Sequence, residues 1–336
     1  MTLFVGLRTD YNDTRTYTDA YNMMEIGDTF NELFDGIEWL KLGENPGFEI
    51  TSRILKYFGA SDQTYLMFYA ILTICINLWF LRKYSRNFAW SLFLYVTFSG
   101  YTFALAAIKQ CIAMAFCLIA VDRHIQKKNL GFVFWILLAA LYHPYALLYF
   151  VVPVMHFKPW GGMSIATMAV AIFAGFALQP MLGTIIDITS AMGETYTIDS
   201  FNGEGVNIFR LAAVAVPAIL AFLVQNQLKE EETCTDDIMI NLSMLNAEIM
   251  FIGLFGTANY FGRLANYFQP FQALAIPWLL SYFEKKTRRT ITVIAILCYS
   301  AFFVYSMMYT GSFDSGFRRI TLIEYLRSIF SELTQG

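Results

Sequence analysis

The chain has 336 residues, 57% hydrophobic, 17% aromatic and 15% charged, with a formal net charge of −3. Soluble domains carry roughly 25% charged residues, so this composition excludes a soluble globular class and defines an all-α polytopic membrane protein. The near-neutral charge and the lack of a nucleic-acid motif exclude nucleic acid as a partner, and five scattered cysteines offer neither metal spacing nor a disulfide framework.

Residues 1–62 form a polar, mostly acidic N-terminal segment. Arg8 and Asp10 come too early for a signal-peptide core, and Met1 to Gly6 can be read as the tail of a span that starts upstream. Phe30, Leu33, Phe34, Ile37 and Leu40 share one helical face, and Thr29-x-x-Glu32 reads as a capping box opening that helix. A second short helix is expected from Gly47 to Phe58, stopping at Gly59. Residues 63–309 carry the membrane domain. Spans are predicted over Gln63–Leu81, over Phe88–Phe98 with a turn near Ser99-Gly100, and over Phe103–Val121, which contains Lys109. They continue over Met163–Ile185, Ile208–Val224, Ile238–Gly256, Leu264–Phe283 and Thr290–Tyr309. With a broken pair around His143-Pro144 the count is about nine to ten membrane helices. The tail, residues 310–336, holds an amphipathic helix over Ile320–Leu333.

The broken pair organises the rest. Leu130 to His156 is apolar almost throughout, and as one helix it would run about 40 Å, too long for a simple crossing. Pro144 lacks a backbone donor and disfavours helix at His143. The basic loops 82–86, 123–128 and 285–289 are cytoplasmic by the positive-inside rule. Counting spans from them places both ends of the stretch inside, so it must enter and return as a V with His143 at its outer apex. The acidic 225–237 link also falls inside, which is tolerable because acids contribute little to orientation. Arg8, Asp10, Asp13, Lys109, His143, Arg210, Arg263 and the polar loop 189–206 then share the extracytoplasmic side. Cations gathered beneath an acidic canopy suit an anionic ligand, phosphate or pyrophosphate best.

Several stretches carry a family resemblance: Gly6-Leu7-Arg8 followed by Asp13-Thr14-x-x-Tyr17-x-x-x-Tyr21; Asn45-Pro46-Gly47-Phe48-Glu49; Ile108-Lys109-Gln110-x-Ile112-Ala113; and Ala139-x-x-x-His143-Pro144-x-Ala146-Leu147, with Gly262-Arg263-Leu264-x-x-Tyr267-Phe268 weaker. In this order the chain resembles the EpsG family of bacterial membrane proteins, relatives of the Wzy polysaccharide polymerases. Lys109 stands where the family pattern has arginine, which keeps the charge and loses the bidentate fork. The resemblance implies a GT-C-like helical membrane glycosyltransferase at the outer face of the bacterial inner membrane, making exopolysaccharide, capsule or O-antigen. Its donor and acceptor would be oligosaccharides on undecaprenyl pyrophosphate. Membrane lipids, a flippase and a chain-length regulator are the other candidate partners, and no cofactor is implied.

Within that reading His143 is either a general base for the acceptor hydroxyl or a donor to a phosphate oxygen; otherwise it stabilises the helix break. Lys109 and Gln110 would meet the pyrophosphate, with snorkelling as the alternative for Lys109. Arg8, Arg263 and Arg210 would complete a cationic clamp, or else anchor at the interface. Asp13 would activate the acceptor or bind a sugar hydroxyl, with Asp10 as its nearest rival and a turn or cap as the plain alternative. Tyr17, Tyr21 and Tyr260 would stack on sugars, although tyrosine is common at membrane interfaces. The absence of a Gly-rich nucleotide loop, an HExxH motif and a DxD pair leaves a nucleotide-sugar donor and a metal unsupported. A flippase of the same lipid-linked sugar is the alternative function. A membrane acyltransferase would need its histidine on the other side.

Overall fold

The structure is a computed structural model that describes residues 1–98, 100–191, 205–230, 234–309 and 317–335. Ser99, most of the 189–206 loop with Asp199 and Glu204, and Glu231-Glu232 lie outside the described residues. The chain is nearly all helical. In the N-terminal segment, α1 (Thr2–Gly6) leads into α2 (Thr14–Met23) and α3 (Pro46–Tyr57). Pro46 opens α3, where its missing N–H and fixed φ cost nothing, and Gly59 at φ +74° ends it. The helix expected from the Thr29-x-x-Glu32 box is a single 3₁₀ turn, Asn31–Phe34. Only half of the box forms, the Thr29 amide to Glu32 at 3.5 Å, and Gly36 at φ +72° stops any continuation.

Helix α4 (Asp62–Tyr84) is capped by Ser61, whose hydroxyl accepts from the Thr64 amide at 3.3 Å. Arg82 and Lys83 lie in its last turn, where cations are favoured. Helices α5 (Phe88–Thr97) and α6 (Gly100–Ala106) form a pair bent by 50°. The expected third span starts later than Phe103: Phe103–Ala106 belong to α6, and α7 runs Ile108–Ile125. Helix α8 (Asn129–Ala140) is followed by a 3₁₀ arm, Pro144–Val154. Then come α9 (Gly162–Ala191), α10 (Ile208–Leu223), α11 (Gln225–Glu230), α12 (Cys234–Ile252), α13 (Ala258–Asn266), α14 (Gln269–Leu279), α15 (Lys285–Tyr309) and α16 (Leu322–Gln335). Among the described residues three helices are long and apolar enough to cross a membrane, within α4, α9 and α15. The bent pair makes a fourth, and α8, the 3₁₀ arm and α10 are apolar but shorter.

The broken stretch is a V. His143 sits in extended geometry at φ −162° between the two arms, as a residue before proline must. At the open end His124, in the last turn of α7, meets His156 just beyond the 3₁₀ arm, with their Nε2 atoms 2.7 Å apart. The second arm therefore returns to the level at which α7 ended. The same end gathers the ion pairs Lys83–Asp122, Arg86–Asp236 (3.2 Å) and Lys158–Asp237 (3.0 Å). Two of these pairings account for an acidic link at the end that holds the basic loops: its Asp236 and Asp237 meet Arg86 and Lys158.

Breaks at membrane depth free backbone carbonyls that lipid cannot satisfy, and buried polar side chains take them up. Gln269 donates to Phe98 O at the α5/α6 bend. Pro217 inside α10 cannot bond Ala213 O, and the Tyr299 hydroxyl donates to it at 3.0 Å. Gln272 donates to Val214 O (3.0 Å) and Ser243 O (2.8 Å). Asn241 donates to Met155 O (3.0 Å) and Phe157 O (2.6 Å) where the 3₁₀ arm ends. Asn246 donates to Ala265 O between α13 and α14 at 2.5 Å.

Among the described residues the fold departs from all-α at one place. Strand β1 (Arg8–Asp10) pairs antiparallel with β2 (Arg318–Arg319). The tail is thereby tied to the N-terminal segment, and Tyr325 of α16 packs on Leu7 and Met67. α16 opens on a complete capping box, with Thr321 and Glu324 bonding each other's amides at 2.6 and 3.2 Å.

Helix α3 rests on the apex of the V. The Gly47 amide donates to Leu141 O at 2.8 Å, and a Cβ at Gly47 would stand 2.8 Å from Leu141 Cβ and 3.1 Å from its carbonyl oxygen. Backbone cannot yield there, so Gly47→Val should lift α3 from the apex and cost about 1–3 kcal/mol, read as a lowered midpoint in thermal unfolding of the detergent-solubilised protein. An unchanged midpoint would mean that α3 is not docked on the V.

Candidate functional site

Among the described residues a ligand-sized opening lies at the end of the bundle opposite the His124–His156 pair. It is a cavity of about 640 Å³, within the range of small-molecule sites. One wall is the turn at the start of α2, with Asp10 and Asp13; the facing walls bring Arg210 from α10 and Arg263 from α13. Asn12, Asn246, Asn259, Asn266 and Gln269 supply side-chain amides, and Phe98, Phe103 and Phe302 apolar rings.

Each side chain is placed by local structure. Thr257 caps α13, accepting from the Tyr260 amide at 3.2 Å, and that helix presents Gly262, Arg263 and Asn266 to the cavity. Arg210 donates to Asn266 Oδ1 at 2.9 Å, and its guanidinium lies so close to Gly262 that a Cβ there would be 3.1 Å from Nη1. Arg263 is exposed, and no described carboxylate forms an ion pair with it. Asn12 at φ +47° turns the chain before α2. Asp13 takes the cap position, but its carboxylate makes no cap hydrogen bond and stays on the cavity wall. Asp10 is paired with Arg15 at 2.7 Å.

A second cluster adjoins the first through Gln110, which donates to Arg263 O at 2.7 Å. Lys109, in the first turn of α7, holds its ammonium 5.2 Å from the Phe48 ring centroid, a cation–π contact. The Tyr17 hydroxyl meets the Lys109 backbone. His143 lies close enough to Arg263 and Lys109 to feel both charges, and its Nδ1 is 3.0 Å from the Tyr267 hydroxyl. Tyr260 packs edge-on to Tyr145, which packs edge-on to His143.

Thus Asp10, Asp13, Arg210 and Arg263 share the cavity, while Lys109, Gln110, His143, Tyr17 and Tyr260 stand beside it. Arg8 is placed differently. It is 1% exposed and donates to Val5 O at 2.6 Å and to Thr14 Oγ1 at 3.1 Å, so its guanidinium knits the N-terminal segment together. Tyr21 likewise is buried, its hydroxyl on Ala60 O at 2.7 Å. The cavity amides and Tyr267 were not anticipated from sequence. An amide inside an apolar run, as at Asn246 and Gln269, is the signal that could have marked them, because such groups at membrane depth need a stated partner. Among the described residues no three His, Cys, Asp or Glu side chains gather as a metal site.

Burial pushes the Tyr17 phenol up to about 12, and the Asp13 charge adds to the rise. A free tyrosine ionises near 10. The stabilising effect is therefore whole below pH 10 and is lost as pH rises toward 12. Tyr17→Phe should remove that part of the alkaline destabilisation. Phenolate absorbance and unfolding followed from pH 9 to 12, in parent and variant, would check it; identical profiles would refute it.

A multi-pass helical membrane protein with a charged, amide-lined cavity at one end is the class these features define. The chain belongs to the EpsG family, which it matches over residues 1–325. No curated protein and no solved structure matches it. Membership makes it a polysaccharide polymerase-like membrane protein with a glycosyltransferase-like role in polysaccharide biosynthesis.

Proposed function

We propose that the protein joins oligosaccharide repeat units carried on undecaprenyl pyrophosphate, at the outer face of the bacterial inner membrane. The fold is then GT-C-like, with about nine to ten membrane helices when the bent pair, both arms of the V and the shorter helices α7, α10, α12 and α14 are counted. The observation that carries the reading is the joining of two arginines, two carboxylates and five amides around one cavity. A sugar pyrophosphate needs cations for its phosphates and amides or carboxylates for its hydroxyls. Asn246 Oδ1 is buried without a protein partner, an acceptor suited to a sugar hydroxyl.

In the transfer, an acceptor hydroxyl attacks the anomeric carbon of the donor. The bond to the pyrophosphate oxygen breaks, and its electron pair leaves with the phosphate. Arg263 and Arg210 offset that charge, most strongly in the transition state. Asp13, on the opposite wall and free of cap bonds, takes the acceptor proton. Lys109, beside Arg263, holds the second phosphate, and His143 donates a hydrogen bond to a phosphate oxygen as the charge develops there.

The test is purified protein in liposomes with lipid-linked repeat units, beside His143→Ala. Chains longer than one repeat, lost in the variant, are expected. Movement of the intact lipid-linked unit between leaflets without chain growth would replace the polymerase with a flippase.

A further inference from the structure

The N-terminal segment carries an array of rings that the reaction does not use. Phe58, Tyr57, Phe30, Phe34 and Trp39 follow one another with centroids 5.6, 6.0, 5.7 and 6.5 Å apart. They are between 36% and 73% exposed. This is not an unfinished core, because the same segment has one: Leu33, Ile37 and Ile50 are buried together with Ile26 and Ile54 against them. Arg53 clamps the turn onto α3, donating to Leu33 O (3.0 Å), Asp35 O (2.8 Å) and Glu49 (2.5 Å). Those isoleucines and Leu33 went inside, while these five rings, and Leu40 beside Trp39 at 97% exposed, were left out on a framework that holds them in place.

We propose that this ladder is a binding site for the glycan chain, a track that grips the polymer outside the cavity. The inference rests on the polymerase reading. Three features select a carbohydrate as the occupant. The ring-to-ring steps are each close to the length of one pyranose; Phe34 and Trp39 are stacked at 24° and offer a sugar a common face, and the other rings meet edge-on at 68–83° and line the chain beyond it. The interleaved residues Asp28, Glu32 and Asp35 are exposed, as is Glu38, which pairs with Lys41, and carboxylates accept from sugar hydroxyls. Those same acids oppose burial in a lipid surface, where an unpaired charge is costly and anionic headgroups repel it. The ladder also lies on the route from the site. Helix α3 carries Phe48 under Lys109 near its start and Tyr57 at its end, about 14 Å apart at 1.5 Å per residue. Exposed rings of this kind bind without demanding one sequence of bases or sugars, since every repeat offers a flat face, as aromatic platforms do for single-stranded nucleic acid.

The experiment compares the parent with Phe34→Ser/Trp39→Ser in liposomes supplied with lipid-linked repeat units, following both the initial coupling rate and product length. The initial rate should be unchanged and mean length should fall at least twofold, with Trp39→Phe restoring it. Equal lengths in parent and double variant would overturn the track. If the double variant does not fold, the emission difference between parent and Trp39→Phe reports Trp39 directly. A shift on adding polysaccharide from the producing strain supports the track, and no shift overturns it. Quenching of that emission by brominated phosphatidylcholine would place the ladder in the bilayer and overturn it as well. A parent that forms no polymer sinks the polymerase reading instead, and the Trp39 shift with polysaccharide still decides the track separately.

Discussion

Arg263→Ala is expected to lower polymer formation by about a hundredfold or more, the order seen when one preorganised charge partner is removed from a developing anion. The protein should still fold. Gln110 grips the backbone oxygen of residue 263, not its guanidinium, and the side chain is exposed with no described ion pair. Arg263→Lys should recover part of the loss, keeping the charge without the bidentate fork. Lys109→Ala should fall in the same direction, because its ammonium rests on Phe48 beside the same histidine. Arg210→Ala is a less clean test, since it also strands Asn266. Polymer length and yield in liposomes, with thermal unfolding as control, decide the matter. Normal yield from Arg263→Ala or Lys109→Ala would remove the cationic clamp from the account.

Tyr267→Phe should reduce turnover by about tenfold to a hundredfold, less than the hundredfold or more lost when a donor to the developing charge is itself removed, because His143 remains in place. The phenol is the partner of His143 Nδ1 at 3.0 Å, so it sets which ring nitrogen faces the ligand and holds the ring plane. The substitution is conservative in shape. Residue 267 is anchored by its backbone carbonyl, which accepts from Tyr149 at 2.5 Å, and phenylalanine keeps that bond. The change should therefore appear in kcat and in the pH dependence of coupling more than in KM or thermal stability. A variant with parental kcat and an unaltered pH profile would show that the contact only packs the helix break.

The membrane class, the V around His143-Pro144 and the grouping of basic links were legible in the sequence, because hydropathy, proline and loop charge act locally. The bilayer turns local composition into a statement about topology. Lys109 could be singled out for the same reason, since a charge in an apolar run needs a purpose, and Arg263 by its place at a joint on the extracytoplasmic side. Other parts depended on distant partners. Nothing around Arg8 announces that β1 will pair with Arg318–Arg319 at the far end of the chain, and the pair is too short to show alternation. The Thr29-x-x-Glu32 box looked like a helix start and produced one 3₁₀ turn, because Arg53 claims the carbonyls of Leu33 and Asp35. Arg8 read as a ligand and is instead buried on Val5 and Thr14. The sequence by itself determined that this protein lives in a membrane and folds back on itself at residue 143. Which cations share a cavity, and which amides line it, was decided by how α10, α12, α13 and the N-terminal segment pack, since side chains scattered along the chain meet only when the bundle closes.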